Sequence, residues 1–407
     1  MKILVYAHSF PPSKGGLQYS NFEIVKGLHK LGHDIRLITC YNKGIRQFIS
    51  NFSFPVRVLP KWNFTTMNSV SRNGLLNWVF APCYFFIILN EIHNFKPDVG
   101  FITDETANAF WGAISKSVKI PYISYCSVPV FNQKKLFSKH KLIKIIFDMA
   151  ISKVISQLLK SYKRSERIIV VSRSTSEQLN RVIPEVRNKI SIIPRSLDDI
   201  FFEMKYNKSR IKRMKSKLGI NKSHFVFLSV SRLTKNKGID DVLRALDSLE
   251  SNKKCIVKYI VLGSGGYRKS LEKIVVDCNL ESNVIFHNEV NHLELIYFYD
   301  MCDIFILPSR RGPSESFGRV FAEAAARFKA AVAVNEGGMT DIIENNKTGF
   351  LIPAGNIQIL IKTMEYILQN KEKIVRMGIH ARKKAEKNYT NYENAKKFQK
   401  CLEKIIL

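Results

Sequence analysis

Two carboxylates, Glu315 and Glu323, flank the sequence Ser316-Phe317-Gly318. The segment follows an apolar run and leads into an alanine-rich stretch, which predicts a strand, a loop and a helix in that order. We expect Ser316 to cap the helix, so that the first N–H groups, near Phe317 and Gly318, suit an anion. In a regular helix Glu323 lies about two turns below Glu315, and the pair could hold hydroxyls of a sugar or ribose. An unpaired Glu323 on so apolar a helix would be costly, which argues against a solvated face.

Two cations, Arg232 and Lys237, lie between an apolar run and a helical pattern. They could grip a diphosphate, because Arg offers a planar fork of donors and Lys a point charge. The alternative is a solvated basic loop, which would be the usual explanation in so basic a chain.

Glycines follow two predicted strands, Gly15 and Gly16 near the start of the chain and Gly263 and Gly265 in the second half. Glycine before a helix lets backbone N–H groups approach a ligand, although an ordinary strand-to-helix turn would also use it. The second turn lacks the complete dinucleotide-binding pattern because Arg268 occupies its last position. No acidic residue is placed to read a ribose there, so a nicotinamide cofactor is disfavoured.

The chain has 407 residues, with 64 Lys and Arg against 34 Asp and Glu, a net charge of +30. This excess favours polyanions as neighbours: nucleic acid, anionic lipid or phosphorylated substrates. The 7 cysteines are scattered without a C-x-x-C pair, which disfavours a disulfide framework or zinc site and favours a reducing compartment. We see no D-x-D-like metal site and predict none.

Apolar runs alternate with helical patterns in two series, each the size of a domain, which predicts parallel sheets covered on both faces. The fold class is therefore α/β, with two Rossmann-like doubly wound domains facing a cleft. We place the first domain at 1–196, the second at 197–380 and a C-terminal helix at 381–407, with a linker at 194–223 and a hairpin-like turn at 348–352. Predicted strands are 2–6, 34–39, 56–59, 99–103, 122–125, 167–171, 225–230, 256–262, 284–287, 304–307 and 331–334.

Taken together and in order, these motifs resemble the retaining nucleotide-sugar glycosyltransferases of the GT-B fold, in particular glycosyl transferase group 1, or family 4. The resemblance covers most of the chain and is strongest over 225–352. It rests on the loops at Gly15-Gly16 and Arg232…Lys237, the Gly263-Ser264-Gly265 turn, the Glu315-x7-Glu323 spacing and Gly337-Gly338.

The resemblance implies a role for each of these positions. Arg232 and Lys237 would hold the donor diphosphate, and Glu323 the nucleotide ribose. Glu315 and the backbone at Phe317 and Gly318 would contact the transferred sugar, with Arg232, Lys237 and Glu315 acting in catalysis. The remaining donor-binding positions would be Gly15, Gly16, Gly263, Gly265 and Ser316. The first domain would bind the acceptor, the second the nucleotide sugar, and the C-terminal helix would pack back on the first domain.

The resemblance also implies a metal-independent transferase with no cofactor beyond its UDP-, GDP- or other nucleotide-sugar donor. Its acceptor would be a glycan or lipid-linked hydroxyl, in bacterial cell-surface polysaccharide synthesis. One departure concerns the acceptor side, where many members carry a His after the fifth predicted strand. Here that place is Ser127, or Cys126 in a shifted register, so the His of those members has no counterpart in this sequence.

Basic residues interleaved with apolar ones over 134–167 fit an anionic membrane surface, and equally a solvated lysine face. The longest apolar run, 75–89, falls short of a membrane span, and the N-terminus does not read as a signal peptide. We therefore expect a cytoplasmic protein, peripheral at the inner face of the cytoplasmic membrane if the first interpretation holds.

Other interpretations keep the fold or the charge but change the function. A catalytically silent sugar-nucleotide binder fits the missing His. A basic nucleic-acid-binding protein fits the charge, although no helix-turn-helix, zinc finger or RNA-binding aromatic signature is present, and no specific nucleic acid is expected. A sugar-nucleotide epimerase or a phosphorylase would keep the fold, but no lysine site for a pyridoxal cofactor is visible.

Overall fold

The computed structural model describes residues 1–12, 16–50, 52–60, 81–127, 141–310 and 316–406. They form two compact units, one of Met1–Ser196 with Asn391–Leu407 and one of Leu197–Thr390. Each unit is built on a parallel sheet with helices, as the alternating pattern predicts.

The first unit contains a seven-stranded parallel sheet in the order β3-β2-β1-β4-β5-β6-β7. The strand order reverses beside β1, whose Ile3 pairs with Ile35 of β2 on one side and Val99 of β4 on the other. In open α/β sheets ligands bind at the carboxyl ends of the strands at such a reversal. The strands are β1 Lys2–Ala7, β2 Asp34–Cys40, β3 Val56–Leu59, β4 Val99–Ile102, β5 Tyr122–Cys126, β6 Arg167–Val170 and β7 Ile190–Ile192.

The helices of the first unit include the last helix of the chain. They are α1 Gly16–Lys30, α2 Ile45–Ile49, α3 Ala81–Phe95, α4 Glu105–Ile114, α5 Lys141–Arg164, α6 Arg173–Val182 and, after the second unit, α17 Asn391–Ile406. Phe398 of α17 packs edge-on against Phe101 of β4, with ring centroids 5.2 Å apart. Gly27 of α1 lies so close to α17 that a Cβ there would sit 2.2 Å from Asn391 Oδ1.

The second unit contains a six-stranded parallel sheet in the order β10-β9-β8-β11-β12-β13, reversing beside β8. All six residues of β8 are buried, as expected for a parallel strand covered on both faces. The strands are β8 Phe225–Val230, β9 Val257–Leu262, β10 Val284–His287, β11 Ile304–Leu307, β12 Ala331–Val334 and β13 Gly349–Ile352.

The helices of the second unit run from the unit boundary to the last turn before α17. They are α7 Ile200–Glu203, α8 Lys208–Lys217, α9 Ile239–Asp247, α10 Ser251–Lys254, α11 Arg268–Asp277, α12 His292–Met301, α13 Arg319–Ala326, α14 Met339–Ile342, α15 Ile357–Gln369 and α16 Lys371–Tyr389. The second unit thus extends to Thr390 rather than to the predicted 380. The reason is that α16 is one continuous helix, which packs against α13 of the same unit.

One local prediction is wrong and another holds only in part. The hairpin-like turn expected at 348–352 is strand β13, which pairs in parallel with β12 from Ala331 opposite Gly349. The linker expected at 194–223 does include the boundary between the two units, at Ser196 and Leu197, but the rest of it contains α7 and α8. Arg210 of α8 packs its guanidinium 4.3 Å from the ring centroid of Tyr297. Both segments are polar or short, so tertiary packing rather than apolar periodicity determines their structure.

Helix α3 covers the second part of the apolar run at 75–89, whose first part lies outside the described residues. Over the part of the chain that the structure describes, no helix combines the length and the apolar character needed to span a bilayer.

Candidate active site

The loop after β8 carries Arg232 and Lys237 at the reversal point of the second sheet. Arg232 is exposed, and Lys237 is half-buried at the end of a short 3-10 turn, Lys235–Lys237. Gly238 ends the turn with φ +69°, and a Cβ there would lie 2.1 Å from the carbonyl oxygen of Pro308. Only glycine fits, so the loop packs tightly against the end of the neighbouring strand β11.

An arginine that sequence analysis missed ties this loop in place. Arg310 donates to Asp240 Oδ2 at 2.7 Å and to Asp241 Oδ2 at 2.9 Å, and its Nη1 reaches the Lys235 carbonyl oxygen at 3.3 Å. Both aspartates are buried, and the bonds to Asp241 and then Asp240 raise the pKa of the Arg310 guanidinium. The acidic pair opening α9 is the one sequence signal that could have suggested a fixed cation here.

The turn after β9 packs against the loop after β8. Gly263 and Gly265 have φ of +144° and +155°, and a Cβ at Gly263 would lie 1.9 Å from the Ser231 carbonyl oxygen. The Leu233 N–H donates to the Ser264 carbonyl at 2.8 Å. These glycines allow two loops to stack backbone on backbone, a structural requirement that exists independently of any ligand.

Helix α13 begins at Arg319, later than expected. Its N-cap is Gly318 in the left-handed region with φ 78°, and no side chain caps it. The prediction that Ser316 caps the helix is therefore wrong, because Ser316 and Phe317 belong to the preceding bend. Phe317 is buried and packs edge-on against Tyr389, 5.6 Å between centroids. Glu315 lies outside the described residues.

Glu323 is buried on α13 and has two partners. Its carboxylate accepts from Arg319 Nε at 2.8 Å and from the Tyr299 hydroxyl at 3.0 Å. The proximity of this carboxylate, after burial itself, raises the pKa of Tyr299 well above its usual value. The cost of burying Glu323 is thus offset within the protein.

The Arg319–Glu323 pair retains free donors and lies near a half-buried histidine. Among the described residues, Arg319 Nη1 and Nη2 are buried without a hydrogen-bond partner, so the guanidinium retains donors for a polar ligand. His292 on α12 is close enough for Glu323 and Arg319 to influence it, although burial is the largest cause of its lowered pKa. No sequence motif indicates Arg319, Tyr299 or His292, because their arrangement depends on how α12 packs beside α13.

In the first unit, three titratable residues lie at the ends of β1, β2 and β4. Asp104 is buried and accepts from the N–H groups of Ala107 at 2.9 Å and Ser9 at 3.2 Å. Burial nevertheless raises the pKa of Asp104 to about 6 and lowers the pKa of His8 to about 4. His8 Nδ1 lies 3.2 Å from Cys40 Sγ. Gly16 starts α1 nearby in the sequence, and Gly15 lies outside the described residues.

Ser127 follows β5 and is almost completely buried. Its backbone N–H and hydroxyl donate to Glu105 Oε1 at 2.8 and 2.9 Å. Glu105 opens α4, directly after the N-cap Asp104. At the end of β5 the chain therefore holds the Glu105 carboxylate, which Ser127 orients.

Of the basic stretch at 134–167, the first residues lie outside the described ranges. Further along α5, Lys153, Lys160 and Lys163 are exposed, while Leu158 and Tyr162 are buried. Within the described ranges no three His, Cys, Asp or Glu side chains gather in a way that could hold a metal ion.

Family models match both halves of the chain. Glycosyltransferase Family 4 matches residues 14–200, and Glycosyl transferases group 1 matches residues 210–384.

Individual relatives match over different lengths. The chain is 23% identical over 375 residues to an alpha-monoglucosyldiacylglycerol synthase of Acholeplasma laidlawii, covering 91% of this chain and 89% of the relative. It is 26% identical over 227 residues to the capsular polysaccharide biosynthesis glycosyltransferase CapM of Staphylococcus aureus, covering 55% and 58%. A structure of Anabaena Alr3699/HepE in complex with UDP superposes with a TM-score of 0.77 at 19% identity, covering 99% of this chain and 100% of that one.

Proposed function

Since the chain belongs to the glycosyltransferases of the GT-B fold, we propose that it moves a sugar from a nucleotide-diphosphate sugar to a hydroxyl of a lipid-linked or glycan acceptor. The observation that carries the proposal is the loop after β8. There Arg232 and Lys237 are presented on a backbone fixed by Arg310, Asp240 and Asp241, beside the reversal point of a parallel sheet.

In this proposal the two cations neutralise the departing diphosphate. Pre-positioned charges need no reorganisation as negative charge develops on the leaving group, which makes such stabilisation a large contribution to catalysis. Glu323 contacts the ribose, and Arg319 offers its remaining donors to the same nucleotide. Glu315 and the backbone at Phe317 and Gly318 contact the transferred sugar. We further propose retention of the anomeric configuration, with no metal required.

We infer the class of acceptor from the products named for two relatives. One is named for a glucosylated diacylglycerol and another for capsular polysaccharide, so a cell-surface glycolipid or glycan is the acceptor class that we favour. The exposed lysines of α5 support peripheral association with an anionic membrane surface. Flotation with vesicles of phosphatidylglycerol or of phosphatidylcholine tests that association, and equal recovery on both at low salt would remove it.

A thermal-shift screen of UDP-, GDP-, ADP- and dTDP-sugars tests the donor, because a cognate ligand stabilises the folded state by mass action. Incubating the matching donor with diacylglycerol and glycan acceptors, then determining the anomeric configuration of the product by NMR, tests transfer and retention. A donor panel that produces no shift contradicts the proposal.

A catalytically silent nucleotide-sugar binder is the second candidate, favoured by Ser127 where many members carry a His. Such a protein would bind a donor and release no sugar to water or to any acceptor. Measuring donor hydrolysis together with the thermal shift separates the two functions.

A further inference from the structure

A cavity lies in the first unit between α1, α2 and the segment that follows α2. Its volume is about 810 Å³, within the range of small-molecule sites. Among the residues that the structure describes, no predicted donor or acceptor position lines it. The family assignment therefore does not explain this cavity.

Aromatic rings form the apolar wall of the cavity. Phe22 stacks on Phe52 with centroids 5.4 Å apart and meets Phe48 edge-on at 5.3 Å. Phe10, fully buried, supports Phe22 at 6.0 Å. Phe48 and Phe52 remain partly exposed. The rings fix one another, so this apolar wall is formed without a ligand.

Cations surround this wall. Lys26, Lys30 and Lys43 line the cavity together with His29. Glu23 is the carboxylate nearest to Lys26, at 3.8 Å, but it is buried and also accepts from Asn391 Nδ2 at 2.6 Å. The described residues of the lining include no acidic side chain, so the cavity combines an apolar interior with a positive rim.

We propose that this cavity binds an acidic phospholipid of the membrane surface, with an acyl chain against Phe22, Phe48 and Phe52 and the headgroup phosphate at the lysines. An acyl chain needs no hydrogen bonds, and the wall offers few; burying it removes apolar surface from water. The phosphate meets ammonium groups that complement its charge.

The binding test uses dihexanoyl phosphatidylglycerol and dihexanoyl phosphatidylcholine as monomers below their micellar concentrations, measured by calorimetry. We expect the acidic lipid to bind about tenfold more tightly, the size of one favourable charge-assisted contact. Lys43→Glu should abolish that preference, and Phe48→Ala should weaken both lipids about tenfold through lost apolar contact. Lys212→Glu, an exposed site on α8, is the matched charge control, and Phe86→Ala, 68% exposed, the matched aromatic control.

A second measurement locates the lipid independently of Phe48. A phosphatidylglycerol with a photoreactive acyl chain should label peptides containing residues 22–30 or 47–54 in the wild-type chain. Unchanged lipid affinity in Phe48→Ala would overturn the proposal, and so would complete displacement of the lipid by glycerol phosphate. Either result would mean that only the phosphate is attracted to the surface. A dimer that Phe48→Ala dissociates, with no lipid bound, would overturn it in favour of a second copy of the chain. Because no nucleotide is present, these results do not depend on the sugar-transfer proposal.

Discussion

Ser127 donates both its backbone N–H and its hydroxyl to the carboxylate of Glu105, at 2.8 and 2.9 Å. The hydroxyl therefore orients a carboxylate and is not held ready as a nucleophile or base. We expect Ser127→Ala to lower kcat/KM for the acceptor by no more than about 30-fold, since it removes one hydrogen bond of about 2 kcal/mol to a charged group. Steady-state kinetics with the acceptor varied would measure it. A loss above about 100-fold would show Ser127 to be a catalytic residue.

The two cations of the β8 loop should dominate turnover. We expect Lys237→Ala or Arg232→Ala to lower kcat by about 100-fold or more, the effect of removing one pre-positioned electrostatic contact. Lys235→Ala is the matched control, because Lys235 belongs to the same 3-10 turn and its side chain is exposed. Single-turnover rates with a cognate donor provide the measurement. Wild-type rates in either variant would refute these roles.

We propose that Glu323 contacts the ribose hydroxyls of the nucleotide. Removing its carboxylate should therefore reduce the preference for ribose over dideoxyribose, and not only the overall affinity. The wild-type chain should bind its nucleoside diphosphate more tightly than the 2′,3′-dideoxy form, because Glu323 would lose hydroxyl partners. In Glu323→Ala the affinities for the two nucleotides should differ by no more than about twofold. That is much less than the tenfold difference to which 1.4 kcal/mol corresponds.

The control for Glu323 is Glu272→Ala on α11. Glu272 accepts from Arg268 Nε at 2.8 Å with the same i,i+4 spacing as the Arg319–Glu323 pair, but it is half-exposed. This variant should keep the wild-type preference for the ribose form. If Glu323→Ala keeps it as well, Glu323 has only a structural role.

Much of the fold could be predicted from the sequence because parallel strands are continuous apolar runs. Each of the eleven predicted strands corresponds to a strand in the structure, with ends that agree within one residue. The two strands that were missed, β7 and β13, have little apolar contrast: β7 is three residues long and partly exposed, and β13 begins at Gly349. Pairing with a neighbouring strand, rather than intrinsic pattern, determines such edge elements.

The candidate site was only partly predictable. Motif spacing identifies Arg232, Lys237 and Glu323, since each lies at a fixed offset from a strand or helix. It does not identify Arg310 or Tyr299, which reach their carboxylate partners from other parts of the fold, at separations of 70 and 24 residues. Such partners depend on tertiary packing, for which a single sequence carries no local signal.

Asp104, which is buried, and His8, which is half-buried, should have opposite effects on the pH dependence of stability. The pKa of Asp104 is raised by burial from 3.8 to about 6. Between those values the folded state binds more protons than the unfolded chain, so stability falls as pH rises. The pKa of His8 is lowered by burial from 6.5 to about 4. Over that window the unfolded chain binds more protons, so stability rises with pH.

Removing one of these two groups should therefore reveal the change of stability with pH that the other group causes. We expect the unfolding free energy of His8→Gln to fall by up to about 3 kcal/mol from pH 4 to pH 6, whereas that of Asp104→Asn should rise up to pH 6.5. Urea unfolding followed by tryptophan fluorescence measures the first unit, because Trp62, Trp78 and Trp111 all fall within residues 1–196. His380→Gln, an exposed site in the second unit, should leave the slope unchanged. Identical slopes in both variants and the wild type would contradict the opposed titration, since the two groups bind protons in opposite senses across the same window.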